Sequence, residues 1–183
     1  EGKSTTAAHL AIAHAEQGHA TLLIDGDLRR PSVHRRFNLP VHKGFSNALL
    51  GELSWRDAVA RSEDFPNLGV LVAGPPSRRA SELVGRGLDE VMREASQEYD
   101  LIVLDAPPLL GFSEPLQMAS VVDGVLVVAR AGKTGRKAVQ SVLSMLQRMR
   151  APVIGLVLNG VHKDISDSYR YYGAYRRYYQ TGS

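Results

Sequence analysis

The chain has 183 residues, 44% of them hydrophobic, which suits one globular domain with a single sizeable core and argues against an intrinsically disordered protein. Its formal charge of +3 comes from Lys and Arg scattered along the chain rather than massed in one run, so charge alone does not call for nucleic acid. Zero cysteines exclude disulfides and thiolate metal sites, and no apolar run approaches the roughly 18 residues that a membrane span requires.

The first residues, EGKST, set Gly2, Lys3 and Ser4 directly ahead of an Ala-rich stretch predicted as a helix over residues 4–17 and stopped by Gly18. Gly-Lys-Ser is the closing half of the phosphate-binding pattern G-x-x-x-x-G-K-[ST]. The opening half, and the strand that leads into it, are expected on residues ahead of position 1. Each residue type has a reason to be there. Glycine lets backbone N–H groups close on phosphate, lysine reaches the β and γ oxygens, and the hydroxyl suits Mg²⁺.

A strand predicted over residues 20–25 (ATLLID) ends in Asp25, with Asp27, Arg29 and Arg30 just beyond it. A helix over 54–61 starts behind Ser54, where Trp55 is expected to pack, and a strand over 69–74 follows. The helix over 81–97, behind Ser81, leads to the strand 100–105 (DLIVLD), which ends in Asp105 ahead of Pro107 and Pro108. A strand over 123–129, a helix over 134–149 behind Thr134 and a strand over 152–159 ending in Asn159 complete the series. Aliphatic strands alternating with helices predict an α/β fold with a doubly wound, mostly parallel sheet and ligands at the carboxyl ends of its strands.

An aspartate at one strand end is an ordinary turn residue. Three carboxylates on two strand ends beside a Gly-Lys-Ser helix are a nucleotide site that holds Mg²⁺, the arrangement of a P-loop NTPase. The six histidines show no metal-binding spacing, so no metal beyond Mg²⁺ is expected.

The chain closes with YRYYGAYRRYYQTGS, which holds six of the seven tyrosines; Tyr99 is the other. A core that needed phenols would spread them over strands and helices. Tyr169, Tyr171, Tyr172, Tyr175, Tyr178 and Tyr179 are instead interleaved with Arg170, Arg176, Arg177 and Gly173 in a segment without clean periodicity. Two units are therefore expected, a nucleotide-binding domain over 1–162 and a flexible tyrosine-rich tail over 163–183. A mobile tail presents side chains to an active site easily, which makes the tyrosines candidate phosphoacceptors. The competing readings are stacking on single-stranded nucleic acid and seating at a membrane interface.

Together these residues resemble the cytoplasmic catalytic domain of bacterial tyrosine kinases, the polysaccharide co-polymerase autokinases whose P-loop fold is related to the MinD and ParA ATPases. Glu1 to Thr5 is similar to the end of that family's Walker A motif. Asp25-Gly26-Asp27-Leu28-Arg29 is similar to its D-x-D-x-R motif, and Asp105-Ala106-Pro107-Pro108 to its Walker B. The resemblance implies a tyrosine autokinase that uses ATP and Mg²⁺ to phosphorylate its own tail and so regulates exopolysaccharide or capsule polymerisation and export. It implies that Lys3 neutralises the β/γ bridge, that Gly2 to Thr5 hold phosphates, and that Ser4 and Asp105 serve the metal. Of Asp25 and Asp27, one orients or deprotonates the phenol and the other organises the Mg²⁺ shell. Arg29 either steadies the γ-phosphate, binds the tail or is solvated with Arg30, and Asn159 either reads adenine or closes a turn.

The implied partners are a transmembrane chain-length regulator, fused or separate, a cognate tyrosine phosphatase and further copies of the protein in a homo-oligomer; nucleic acid is not among them. The implied location is the cytoplasmic face of the bacterial inner membrane. Ala106 departs from the family's usual Thr or Ser, and Ser77 to Ala80 replace a proline-rich turn. The alternative from a different class is a MinD/ParA-like switch ATPase controlling dimerisation or surface binding, and a third is a nucleotide-binding scaffold without phosphoryl transfer. Residues 1–183 alone are expected to be inactive until the residues ahead of the loop are restored.

Overall fold

A computed structural model describes residues 1–61 and 64–161. The six tail tyrosines lie outside the described residues. The elements in chain order are α1 (Lys3–Glu16), β1 (Thr21–Asp25), α2 (Val33–Arg36), α3 (Phe45–Leu49), α4 (Trp55–Ala58), β2 (Val59–Arg61), β3 (Leu68–Leu71), α5 (Ala80–Ala95), β4 (Leu101–Asp105), α6 (Glu114–Ala119), β5 (Val125–Arg130), α7 (Arg136–Arg148) and β6 (Val153–Asn159).

Five expected strands and three long helices are present, each within a few residues of its expected bounds. The strands form two sheets, one ordered β2-β3-β1-β4 and the other β5-β6. Every pairing among them is parallel except that of β2 with β3. A cavity of about 920 Å³ separates β4 from β5, with α1 and α7 contributing to its walls. No helix among the described residues is long and apolar enough to cross a membrane.

β1 is buried at all five positions because it is covered on both faces, which is why it reads as a continuous apolar run. Alternation sends Leu22 and Ile24 to one face, against Phe45, Leu83, Val84 and Leu88, and Leu23 to the other. On that second face the small side chains of Ala8, Ala11 and Ala15 let α1 lie close against Leu23, Val70 and Val72. That close seating carries the start of α1 to the carboxyl end of the sheet. At its far end α1 stops at Gly18, whose φ of 91° suits glycine, and Gly18 N–H donates to Ala15 O.

The expected helix over 54–61 is only half right. The Ser54 side chain accepts from Arg56 N–H and starts α4, but from Val59 the chain leaves the helix to pair antiparallel with β3. Trp55 packs as expected: it is buried, and its indole N–H donates to Glu94 at 3.0 Å. Tyr99, the one tyrosine outside the tail, is half-buried 6.3 Å from the Trp55 ring, the use a core makes of a phenol.

Gly44 marks a crossing where two backbones touch. A Cβ there would stand 2.3 Å from Val72 O and 2.4 Å from Gly74 N, both main-chain atoms that cannot swing aside. Gly44→Ala is therefore expected to lower stability by about 3 kcal/mol through overpacking, read as a shift in the urea midpoint with an unchanged slope.

Candidate active site

The N-terminus of α1 forms the floor of the site. Gly2 precedes the helix with φ 100°, and no side chain caps it. The first backbone bond of the helix runs from Thr6 N–H to Gly2 O at 2.9 Å, so the N–H groups of Lys3, Ser4 and Thr5 have no partner within the helix. No acidic residue occupies the first turn. Free donors and the positive end of the helix dipole suit this position to phosphate oxygens. Lys3 reaches back to Glu1 at 3.0 Å, and this contact lowers the Glu1 carboxyl below its usual range.

β1 and β4 run side by side, with Asp25 opposite Asp105 in the register. The sheet thus brings together two strand-terminal carboxylates separated by 80 residues, both almost wholly buried. Their surroundings differ. Asp25 accepts Asp27 N–H on Oδ1 at 3.2 Å, and Ser32 N–H and Val33 N–H on Oδ2 at 3.0 and 2.9 Å. It ties the loop after β1 to the start of α2, and burial raises its carboxyl despite those three donors.

Asp105 has no such support. Burial pushes its carboxyl up to about 6, the Ser4 hydroxyl opposes that rise by hydrogen bonding, and the neighbouring Asp25 charge adds to it. Its Oδ2 is buried with no hydrogen-bond partner. An orphaned carboxylate oxygen beside a hydroxyl and a second carboxylate is an all-oxygen donor set that fits Mg²⁺. Among the described residues no group of three or more His, Cys, Asp or Glu is placed to hold a metal ion.

Asp27 stands two residues beyond β1 on a tight turn. Its Oδ1 accepts Arg29 N–H at 3.2 Å and Arg30 N–H at 2.9 Å. The loop is tied to β4 as well, through Gly26 N–H to Asp105 O at 2.8 Å. Asn159, at the end of β6, donates to Glu1 O at 3.0 Å and accepts Gly160 N–H at 2.8 Å, so it braces the strand end against the turn that leads into α1.

Arg29 is engaged by α6 and the loop before it. Its Nε and Nη2 donate to Glu114 Oε1 at 2.8 and 2.7 Å, and its guanidinium lies 4.9 Å from the centre of the Phe112 ring. Arg30 is exposed. Three contacts near the site were not foreseen from the residues: Glu114, Phe112, and Arg36, whose Nη2 donates to Thr5 Oγ1. Ser-Glu-Pro at 113–115 signals a helix start and nothing more, and Arg36 belongs to an ordinary basic pair.

A family model described as "ParA: NUBPL iron-transfer P-loop NTPase" matches residues 1–170, and the chain belongs to this class of P-loop NTPases. Tyrosine-protein kinase YwqD of Bacillus subtilis is 37% identical over 174 residues, covering 94% of this chain and 73% of the relative. The solved kinase domain of VpsO is 33% identical with a TM-score of 0.82, over 88% of this chain and 80% of that one. Succinoglycan biosynthesis transport protein ExoP of Rhizobium meliloti is 28% identical over 98% of this chain, which spans only 24% of ExoP. Within its class, the chain belongs to the bacterial tyrosine-protein kinases.

Proposed function

We propose that this chain is an ATP-dependent tyrosine autokinase whose acceptors are Tyr169, Tyr171, Tyr172, Tyr175, Tyr178 and Tyr179 of its own tail or a second copy's. The observation that carries the reading is Asp105 beside Ser4, with Asp25 opposite it and Oδ2 lacking any protein partner, at the N-terminus of a helix led by Lys3. The relatives named tyrosine-protein kinases support it.

In this mechanism the N–H groups of Lys3, Ser4 and Thr5 hold the β- and γ-phosphates, and the Lys3 ammonium offsets charge on the bridging oxygen. Ser4, Asp105 and Asp25 would hold Mg²⁺, which when bound would neutralise charge developing on the phosphate oxygens. A phenol with a reference pKa of about 10 keeps its proton at neutral pH and needs an acceptor for it. Asp27 fills that role through Oδ2, because Oδ1 is taken by the turn amides. The phenol proton passes to Asp27, the phenol oxygen bonds to the γ-phosphorus, and the β–γ bridging bond breaks to release ADP. Asn159 borders the phosphate turn, where it would meet the rest of the nucleotide.

The likeness to ExoP, a succinoglycan biosynthesis transport protein, supports a place in exopolysaccharide or capsule export. The partner expected there is a membrane-embedded chain-length regulator, and the site of action the inner face of the membrane. Each phosphotyrosine adds about −1.5 to −2 charges, enough to loosen an oligomer whose interface holds the tail, and a tyrosine phosphatase would reset it.

The test is a protein carrying the complete phosphate loop ahead of Glu1, with all six tail tyrosines replaced by Phe. Phosphotyrosine is expected to vanish while nucleotide binding persists. An undiminished signal would put the acceptor elsewhere, and ATP hydrolysis without phosphotyrosine in either form would favour the switch ATPase.

A further inference from the structure

Glu114 lies outside every motif that defines the site, yet it is one of the few buried charged side chains among the described residues, at 1% exposure. Both Arg29 bonds end on its Oε1, and Oε2 is buried without a partner. Such a carboxylate is costly unless its place is needed. The ordinary explanation is a structural ion pair fastening α6 to the loop after β1. The contacts around Asp27 say more than that. Arg29 supplies one of the two backbone N–H groups that fix Asp27 Oδ1, so the residue that Glu114 anchors also sets the orientation of the Asp27 carboxylate.

α6 grips the same loop a second time on the other side of Asp27. A Cβ on Gly26 would meet Met118 Cε at 2.8 Å and Asp105 O at 2.9 Å, so residue 26 is wedged between α6 and the end of β4. Asp27 is therefore held between two fixed points, Gly26 packed under Met118 and Arg29 bonded to Glu114. Phe112 closes the arrangement by offering its ring to the Arg29 guanidinium, which limits where that group can swing.

We propose that Glu114 is a positioning residue for phosphoryl transfer, acting through Arg29 to hold the Asp27 carboxylate toward the acceptor. The inference rests on the kinase reading for its rate effect, but its structural half stands apart from it. A carboxylate is required because it alone fixes the guanidinium with charge-assisted bonds; an amide of the same shape keeps an acceptor and loses the charge.

The experiment compares the wild type, Glu114→Gln, Arg29→Gln and the double variant, each in a protein with the complete phosphate loop. Glu114→Gln is expected to lower kcat for tyrosine phosphorylation by roughly ten- to a hundredfold while KM for ATP moves less than about twofold. Arg29→Gln is expected to do the same, and the double variant to be no slower than either alone. Hydrogen exchange at the Arg29 and Arg30 amides should quicken by about tenfold in Glu114→Gln, with β1 amides unchanged. A purely structural pair would instead weaken ATP binding and lower the urea midpoint in step with the rate.

An unchanged kcat, multiplying losses in the double variant, or unaltered exchange at those two amides would each overturn the inference. A wild type that forms no phosphotyrosine while the exchange result holds would overturn the kinase reading and leave the positioning of Asp27 standing. Should Glu114→Gln fail to fold, Arg29→Gln, at a partly exposed side chain, decides by the same two readouts.

Discussion

Asp105→Asn is expected to lower phosphoryl transfer by at least about a hundredfold and to make the metal-free fold more stable at neutral pH. The first effect follows from removing the carboxylate whose free oxygen suits the metal. The second follows from the direction of its pKa shift. In the folded chain the Asp105 carboxyl titrates at about 6 against an ordinary value of 3.8, chiefly because it is buried. Between those values the folded state keeps a proton that the unfolded state has released, so stability falls as pH rises through the window and levels off above about pH 6. That rise in pKa corresponds to about 3 kcal/mol. Asparagine carries no such penalty. The two proteins should have similar urea midpoints near pH 4, diverge as pH rises to about 6, and keep a constant gap above it, with the variant the more stable. Asp25, whose carboxyl is also raised by burial, remains in both and gives them a shared slope of the same sign. Mg²⁺ with nucleotide should narrow the gap by stabilising only the wild type. Equal midpoints at neutral pH would show that Asp105 carries no buried charge there.

Lys3→Met is expected to separate chemistry from stability in the opposite sense. Among the described residues the polar partner of Lys3 is Glu1, in an ion pair partly open to solvent. Such a pair contributes less than about 1 kcal/mol, so the urea midpoint should barely move. The transferred phosphoryl group, however, loses the cation carried by the first residue of α1, and the initial rate of phosphotyrosine formation should fall by roughly a thousandfold. A variant that keeps its rate would place charge stabilisation on another residue. Arg36, which donates to Thr5, would be the first to examine.

What could be read from the residues, and what could not, follows from how far apart the determining contacts lie. The strands were legible because burial on both faces leaves an unbroken apolar run, as in Leu22-Leu23-Ile24. The long helices were legible because α5 repeats its apolar residues, Leu83, Val84, Leu88, Val91 and Ala95, along one face. α2, α3 and α6 span only four to six residues, too short to show a period. β2 was hidden because a correct local signal, the Ser54 cap, was overridden at Val59 by pairing with β3.

The site divides in the same way. Gly2, Lys3, Ser4 and the three aspartates stand out as candidates by type and spacing. Their inequality does not. That Asp25 is spent on three backbone donors while Asp105 is left with a bare oxygen depends on loop and helix placement that no spacing reveals. Glu114 was invisible for the same reason, since its partner stands 85 residues earlier in the chain.

The most direct test of the central claim is intact-mass and peptide-mapping analysis of the protein with its complete phosphate loop, incubated with Mg²⁺ and ATP beside the Lys3→Met form. Phosphate accumulating between Tyr169 and Tyr179 in the active form alone is the predicted result. ADP production with an unmodified tail, also in the presence of a candidate membrane-protein activator segment, would contradict it.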